Sequence, residues 1–400
     1  MSFWGRLNRH RGITATAAAA AAVLIAGGTT AAVLHRPGTS HEALSNASDS
    51  KSLAQVNKTK KVDATPLRLV SQTPGHGASG VNGTDSVKLT FDTKLSASTP
   101  LPQLFPHVAG SWHIDGRTAT FTPQTGFMPD TKVTVKVPSG MQAAADASDV
   151  LGKASTIRFT TGGYSTLRLQ ELLAELGYLP FNWTPSDSST GDIAASDAKG
   201  QLAAAYHAPA GSFSWKNSYP SELTSQWSAG SDNILVTGAV RAFEYNQGLT
   251  MDGQAGPDVW SHLLTAIAKN QTNPNGYTYA LATQGGSDES LQVWHDGRRI
   301  LDSPANTGIA AAPTEDGTYP VYERLQYQVM SGTNPDGSKY HDPVYWISYF
   351  HGGDAIHGFN RASYGWYQSL GCVELPVSTA QQIWPKLTYG TLVTVQGAVA

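Results

Sequence analysis

Cys372 is the one cysteine in 400 residues. It stands in Ser369-Leu370-Gly371-Cys372-Val373-Glu374-Leu375, fifteen residues after His357 of Ile356-His357-Gly358. A lone cysteine has no partner for an internal disulfide, so in an exported chain its thiol is inert, intermolecular or reactive. A Cys/His pair is the minimum equipment for thiolate catalysis. The imidazole takes the thiol proton and later returns one to a leaving group. His341 and His351 lie sixteen and six residues before His357. These spacings match no helical or turn-based zinc motif, so neither a metal nor any other cofactor is expected.

The elements that must position the pair are strands. From Gly276 to Val399 short apolar runs alternate with turn signals. Leu291–Trp294 leads into His295-Asp296-Gly297-Arg298, a hairpin signature, and Ile300–Ser303 is the return strand. Asn306-Thr307-Gly308 and Pro313–Gly317 read as turns, Tyr319–Tyr322 and the β-prone Tyr345–Phe350 as strands. A short helix fits Ser378–Lys386 with Ser378 or Thr379 at its N-cap, and Leu392–Val395 is the closing strand. Aromatic residues crowd this region. Trp366 and Tyr367, on a Gly-punctuated loop before the cysteine, are placed at the cleft, and His351 at its rim.

Upstream, residues 66–163 alternate with period two in Val87–Phe91, Thr118–Phe121 and Val133–Val137, followed by Ile157–Phe159, which predicts an antiparallel β-sandwich. His76, His107 and His113 are scattered there as surface residues. Residues 164–270 turn helical. Leu167, Leu169, Leu172, Leu173 and Leu176 share a face that Gly177 can end, and Val240, Phe243, Leu249 and Trp260–Leu264 resume the pattern. The interval 181–232, rich in Ser, Gly, Trp and Pro, reads as a loop-like insert.

Charged residues make up only 14% and Gly numbers 40, which favours turn-rich β domains, and 400 residues exceed one core. The net charge is −3, and no basic stripe suggests nucleic acid as a partner. Arg6, Arg9 and Arg11 precede an uncharged run from Gly12 to Leu34. That pattern is a secretory signal or, slightly favoured because no clean cleavage site follows, an uncleaved anchor in residues 1–35. Either places the remainder outside the cytoplasmic membrane, in the cell envelope. Residues 36–65 are too polar to bury a core and read as a flexible linker.

Three resemblances follow from these stretches. Pro106–Pro123, with Trp112 and Ala-Thr-Phe-Thr-Pro, resembles bacterial Ig-like domains. Leu169–Tyr178, Ala239–Leu249 and Asp252–Trp260 resemble the small helical peptidoglycan-binding module, although the insert departs from it. The alternative is a helical spacer in which Phe243 and Trp260 are core. The ordered series Asp296-Gly297-Arg298, Asn306-Thr307-Gly308, Pro313-Thr314-x-x-Gly317, Ile356-His357-Gly358 and Ser369-x-Gly371-Cys372-Val373-x-Leu375 resembles the YkuD-type L,D-transpeptidase catalytic domain.

That resemblance implies a cysteine attacking a peptidoglycan stem peptide, expelling the terminal D-residue and leaving a thioester. An amine of a second stem resolves it to a 3→3 cross-link. It implies Cys372 as nucleophile, His357 as base and acid, the Gly358 carbonyl as its orienter, and backbone N–H groups around Gly371 as the oxyanion hole. Tyr340, Trp346, Ser369, Glu374 and Trp366 are the candidate substrate contacts, with Ser369 bracing the turn. A Gly-x-Ser-x-Gly elbow is absent because Tyr367 occupies its first position.

Leu370 and Glu374 replace the family's commoner histidine and arginine or asparagine. A carboxylate at 374 raises the thiol pKa unless a cation balances it, or it faces the substrate's amine. The expected architecture is multidomain and mainly β: an Ig-like sandwich, a small helical module, and a mixed-sheet catalytic domain at 276–399 with one short helix. The expected partners are donor and acceptor stem peptides and, through the N-terminal segment, the cytoplasmic membrane; the expected state is a monomer. Hydrolysis or D-amino-acid exchange, and a silent wall-binding scaffold, are the competing functions.

Overall fold

The computed structural model describes residues 66–397 except 125, 187–192 and 287. The expected signal or anchor and the linker lie outside the described residues. Among the described residues no helix is long and apolar enough to cross a membrane.

Seven strands form the first layer pair: Leu69–Thr73 (β1), Val87–Phe91 (β2), Gln103–Phe105 (β3), Gly110–Asp115 (β4), Thr118–Pro123 (β5), Lys132–Val137 (β6) and Ser155–Thr160 (β7). They make two antiparallel sheets, ordered β1-β2-β5-β4 and β3-β6-β7. Alternation does the sorting. Val133, Val135 and Val137 point inward and are buried while Lys132 and Lys136 are exposed. Between the sheets Phe127 meets Phe159 edge-on at 5.7 Å.

The helical segment opens with Thr166–Glu175 (α1), whose N-cap Ser165 accepts from the Arg168 N–H. Leu169, Leu172 and Leu173 are buried on one face, and Gly177 at φ +78° ends the helix. The interval 181–232 is not a plain loop. It carries an antiparallel pair of Phe181–Pro185 (β8) and Gly211–Trp215 (β9), between them the helix Ala198–Tyr206 (α2), and one turn at Ser221–Thr224 (α3). Its Ser and Gly content hid a small aromatic core: Phe181 packs on Trp215 at 4.3 Å and on Trp227 at 4.1 Å. Ile234–Gln247 (α4) is capped by Asn233 and ended by Gly248 at φ +68°, and Pro257–Ala268 (α5) follows. Phe243 and Trp260 are core residues.

This helical core continues into the next domain. Tyr279, Leu281 and Leu392, from strands described next, belong to the same buried cluster as α1, α4 and α5. At Gly238 of α4 a β-carbon would come within 2.7 Å of the Gly390 carbonyl, so the two segments meet backbone to backbone. On the other side, Tyr206 at the end of α2 donates to the Phe127 carbonyl at 2.6 Å. The insert also reaches the strands described next, through Gln226 to the Thr318 hydroxyl at 2.8 Å and Gln396 to Glu222 at 3.2 Å, and so bridges them to the β-sandwich.

The last domain holds Thr278–Thr283 (β10), Ser290–His295 (β11), Arg298–Pro304 (β12), Thr307–Gly308 (β13), Gly317–Pro320 (β14), Glu323–Thr333 (β15), Lys339–His351 (β16), Asp354–Gly358 (β17), Tyr367–Ser369 (β18), Val373–Leu375 (β19), the helix Val377–Ile383 (α6) and Leu392–Gln396 (β20). One mixed sheet runs β12-β11-β10-β20-β14, with β10 and β20 parallel. A second runs β15-β16-β17-β19, with β17 and β19 parallel. The β11–β12 turn is Asp296-Gly297, both at positive φ.

Two local expectations change. Thr307–Gly308 is a short strand paired with β18 rather than a turn. The final helix begins at Val377 behind Pro376 and has no side-chain cap bond, so neither Ser378 nor Thr379 caps it.

Candidate active site

Two parallel neighbours build the site. In the β17/β19 ladder Ile356 lies opposite Val373 and His357 opposite Glu374. Cys372 immediately precedes β19, so the register carries its thiol to the strand that bears His357. Both side chains line one cavity of about 560 Å³. The turn before the cysteine is held from two sides. Ser369 is buried and its hydroxyl donates to the Cys372 carbonyl at 2.6 Å. Gly371 sits at φ +111°, and a β-carbon there would lie 2.5 Å from Asp354 Oδ1. Among the described residues the Gly371 and Cys372 N–H groups donate to no backbone carbonyl.

The imidazole of His357 is 3% exposed. Its Nδ1 lies 3.3 Å from the Gly358 carbonyl. A carbonyl only accepts, so Nδ1 carries the proton and Nε2 keeps its lone pair. Burial pushes the His357 pKa below 6.5, against the Glu374 carboxylate and the Gly358 bond, which pull it up. Burial pushes the Cys372 thiol up to about 12; the Ala355 N–H opposes this, while Asp354 and Glu374 add to it. The thiol's hydrogen bond goes to the Gly353 carbonyl at 3.7 Å. At neutral pH the site therefore rests as a neutral thiol beside a neutral imidazole.

Glu374 is 4% exposed and fully engaged. Arg361 Nε donates to its Oε2 and Arg361 Nη2 to its Oε1, each at 2.8 Å. Asn306 Nδ2 adds a bond to Oε2 at 3.2 Å, and the backbones of Asn306 and Glu374 exchange two bonds of 2.9 Å. A bidentate guanidinium of this kind is the cation that a carboxylate at this position requires. Glu374 lines the cavity, but its oxygens are spent on Arg361 and Asn306 rather than left open for a substrate amine. Arg361 is anchored further by a bond from Nη2 to the Gln368 carbonyl at 3.1 Å, which ties it to the loop before the cysteine.

The hairpin β15–β16 forms one wall. Tyr340, Asp342 and Val344 share the face of β16 turned to the cavity, as period two dictates. Trp346 would continue that face, but it sits at φ +59° where the β16/β17 register slips. The bulge places Trp346 against Trp384, with ring centroids 5.6 Å apart, and it does not line the cavity. Trp366 is 48% exposed and also outside the lining; its N–H reaches Asn306 Oδ1 at 3.4 Å. His351 packs on Tyr319 with the rings tilted and 4.3 Å apart, and it lies 3.7 Å from Asp354. His341 meets the Ser331 hydroxyl at 2.8 Å on the hairpin.

The sequence reading missed Arg361, Asn306, Asp342 and Asp354. No periodic or motif signal marks Arg361; only the unexplained carboxylate at 374 asked for a cation. Asn306 stands where the sequence predicts a turn, yet it is wholly buried and its Oδ1 also accepts from the Gly365 N–H at 3.1 Å. The Thr314 hydroxyl accepts from the Gly308 N–H at 2.9 Å, and a β-carbon on Gly308 would lie 2.2 Å from the Ala312 carbonyl. Those contacts hold the Asn306-Thr307-Gly308 and Pro313–Gly317 segments against each other.

Residues 63–161 match the bacterial Ig-like domain family, and residues 286–395 match the L,D-transpeptidase catalytic domain family YkuD. No curated protein matches the chain. Among solved structures, an L,D-transpeptidase from Mycobacterium smegmatis is 13% identical, with 83% of this chain and 100% of that chain covered at a TM-score of 0.27. L,D-transpeptidase 3 from Mycobacterium tuberculosis is 13% identical, covering 82% and 98% at 0.27. The catalytic domain of the L,D-transpeptidase from E. faecium is 25% identical, covering 30% and 96% at 0.27. By the family models alone, residues 286–395 form a YkuD-type L,D-transpeptidase catalytic domain and residues 63–161 a bacterial Ig-like domain ahead of it.

Proposed function

We propose that the chain is a cysteine-dependent L,D-transpeptidase that joins peptidoglycan stem peptides through a thioester on Cys372. The observation that carries this reading is the shared cavity of a protonated thiol and a neutral, buried imidazole oriented by the Gly358 carbonyl. His357 Nε2 takes the thiol proton as sulfur attacks the carbonyl before the terminal D-residue. The developing oxyanion is held by the N–H groups of Gly371 and Cys372, and the imidazolium returns its proton to the departing amine. An amine of a second stem then attacks the thioester, yielding a 3→3 link.

Export fits this role, since Arg6, Arg9 and Arg11 before the apolar run would leave the catalytic domain outside the cytoplasmic membrane. The Arg361 pairing weakens the silent-scaffold alternative, because it offsets part of the Glu374 charge that pushes the thiol up. Hydrolysis or D-amino-acid exchange differs only in what resolves the thioester.

Intact-mass measurement after exposure to a carbapenem tests the reading. The native chain is expected to gain one acyl adduct and Cys372→Ala none. With a tetrapeptide stem, the native chain releases the D-residue and forms dimer; dimer formation by Cys372→Ala at the native rate would sink the proposal. His357→Ala is expected to slow acylation by roughly 10²–10⁴-fold.

A further inference from the structure

Three carboxylates line the cavity beside the thiol, and two of them are committed. Glu374 is held by Arg361 and Asn306. Asp354 accepts from the Glu315 N–H at 3.2 Å and faces His351 at 3.7 Å. Among the described residues the Asp342 side chain makes neither a hydrogen bond nor an ion pair, and it is half-buried on the wall formed by β16. Arg361 feels its charge, but its Nε and Nη2 are turned to Glu374 and the Gln368 carbonyl, and its ion pair is with Glu374. The open negative charge in this cavity is therefore that of Asp342, on the same strand face as Tyr340 and Val344.

A transpeptidase must discharge its acyl group to an amine and not to water. A primary amine is an ammonium near pH 7, and a carboxylate without a cation is the complement it seeks. Resting on the acyl-enzyme proposed above, we infer that Asp342 is the specificity residue for the acceptor: its carboxylate captures the cationic amine of the incoming substrate and draws it toward the thioester. The captured ammonium sheds one proton to solvent. Its nitrogen then bonds to the thioester carbon, the C–S bond breaks, and the second proton lost by nitrogen passes through His357 to the departing sulfur. An amide and a protonated Cys372 result.

The test is the partition of one acyl-enzyme between amine and water, a ratio that does not depend on how fast the acyl-enzyme forms. The full chain is acylated with a tetrapeptide stem and offered either a primary alkyl-ammonium acceptor or hydroxylamine, which is uncharged near pH 7. Asp342→Asn is expected to lower transfer to the ammonium acceptor about tenfold relative to hydrolysis and to raise its KM, leaving the hydroxylamine-to-water ratio as it was. Asp342→Glu is expected to retain the preference. An unchanged ammonium-to-water ratio in Asp342→Asn overturns the role of Asp342 while the acyl-enzyme stands. Absence of any acyl-enzyme in the native chain overturns both.

Discussion

Arg361 meets Glu374 edge to edge, Nε on Oε2 and Nη2 on Oε1 at 2.8 Å each, in the cavity that Cys372 and His357 also line. Glu374 is buried and Arg361 is partly open, at 6% and 30% side-chain exposure. Removing the cation alone leaves an uncompensated carboxylate in low dielectric. Arg361→Met is expected to cost about 2–3 kcal/mol of stability, below the fully buried case because solvent reaches the guanidinium. It is also expected to slow acylation. Adding Glu374→Gln should recover much of both losses. Denaturant midpoints and acylation rates across this double-mutant cycle measure the coupling; additive effects would show the pair to be incidental.

The thiol and imidazole predict a definite pH response. With the thiol pushed to about 12, its ionised fraction at pH 7 is on the order of 10⁻⁵, so alkylation by iodoacetamide should be slow and climb steadily into alkaline solution. Substrate-driven acylation should instead rise as His357 loses its proton, below 6.5, and level off by neutral pH.

Stability follows the same shifts. The depressed His357 pKa contributes stability above 6.5 that is lost as pH falls through the folded value. The raised Cys372 pKa contributes stability below 9.0 that is lost as pH rises toward 12. Denaturation midpoints against pH should therefore show the alkaline limb flattened in Cys372→Ala and the acid limb flattened in His357→Gln.

Gly371→Ala asks two things of the turn at once: a left-handed φ of +111° and room 2.5 Å from Asp354 Oδ1. The expected cost is about 1–3 kcal/mol, with loss of carbapenem acylation because the N–H groups at 371 and 372 turn away. Thermal denaturation and intact mass read the two effects separately. Full acylation in a stable variant would refute the strained turn.

Tyr206→Phe removes the 2.6 Å bond to the Phe127 carbonyl where the insert meets the β-sandwich. The stranded acceptor should lower stability by about 1–2 kcal/mol, read from the denaturation midpoint, and open the junction to limited proteolysis. An unchanged cleavage pattern would mean that the insert does not hold the two parts together.

Much of the fold was legible because its signals are local. Period-two runs such as Lys132–Val137, and the Asp296-Gly297 turn, depend on neighbours in sequence. The insert was not legible. Phe181, Phe213, Trp215 and Trp227 meet only after the chain doubles back, and no window of sequence contains them together. Trp346 was misplaced for a related reason. Alternation assigns it to the cavity face, and a bulge set by the pairing of β16 with β17 turns it away.

Sequence alone determined the chemistry on offer: one thiol, one histidine with a carbonyl behind it, a glycine at the turn, all within a short and ordered run of motifs. Tertiary structure decided whether that chemistry is poised. Burial sets both proton affinities. The cation that balances Glu374 arrives from Arg361, thirteen residues away. The open carboxylate of Asp342 comes from another strand face. Residue type and spacing specify which groups can react. Charge balance and desolvation depend on every element that packs around them, and so are fixed only when the chain has folded.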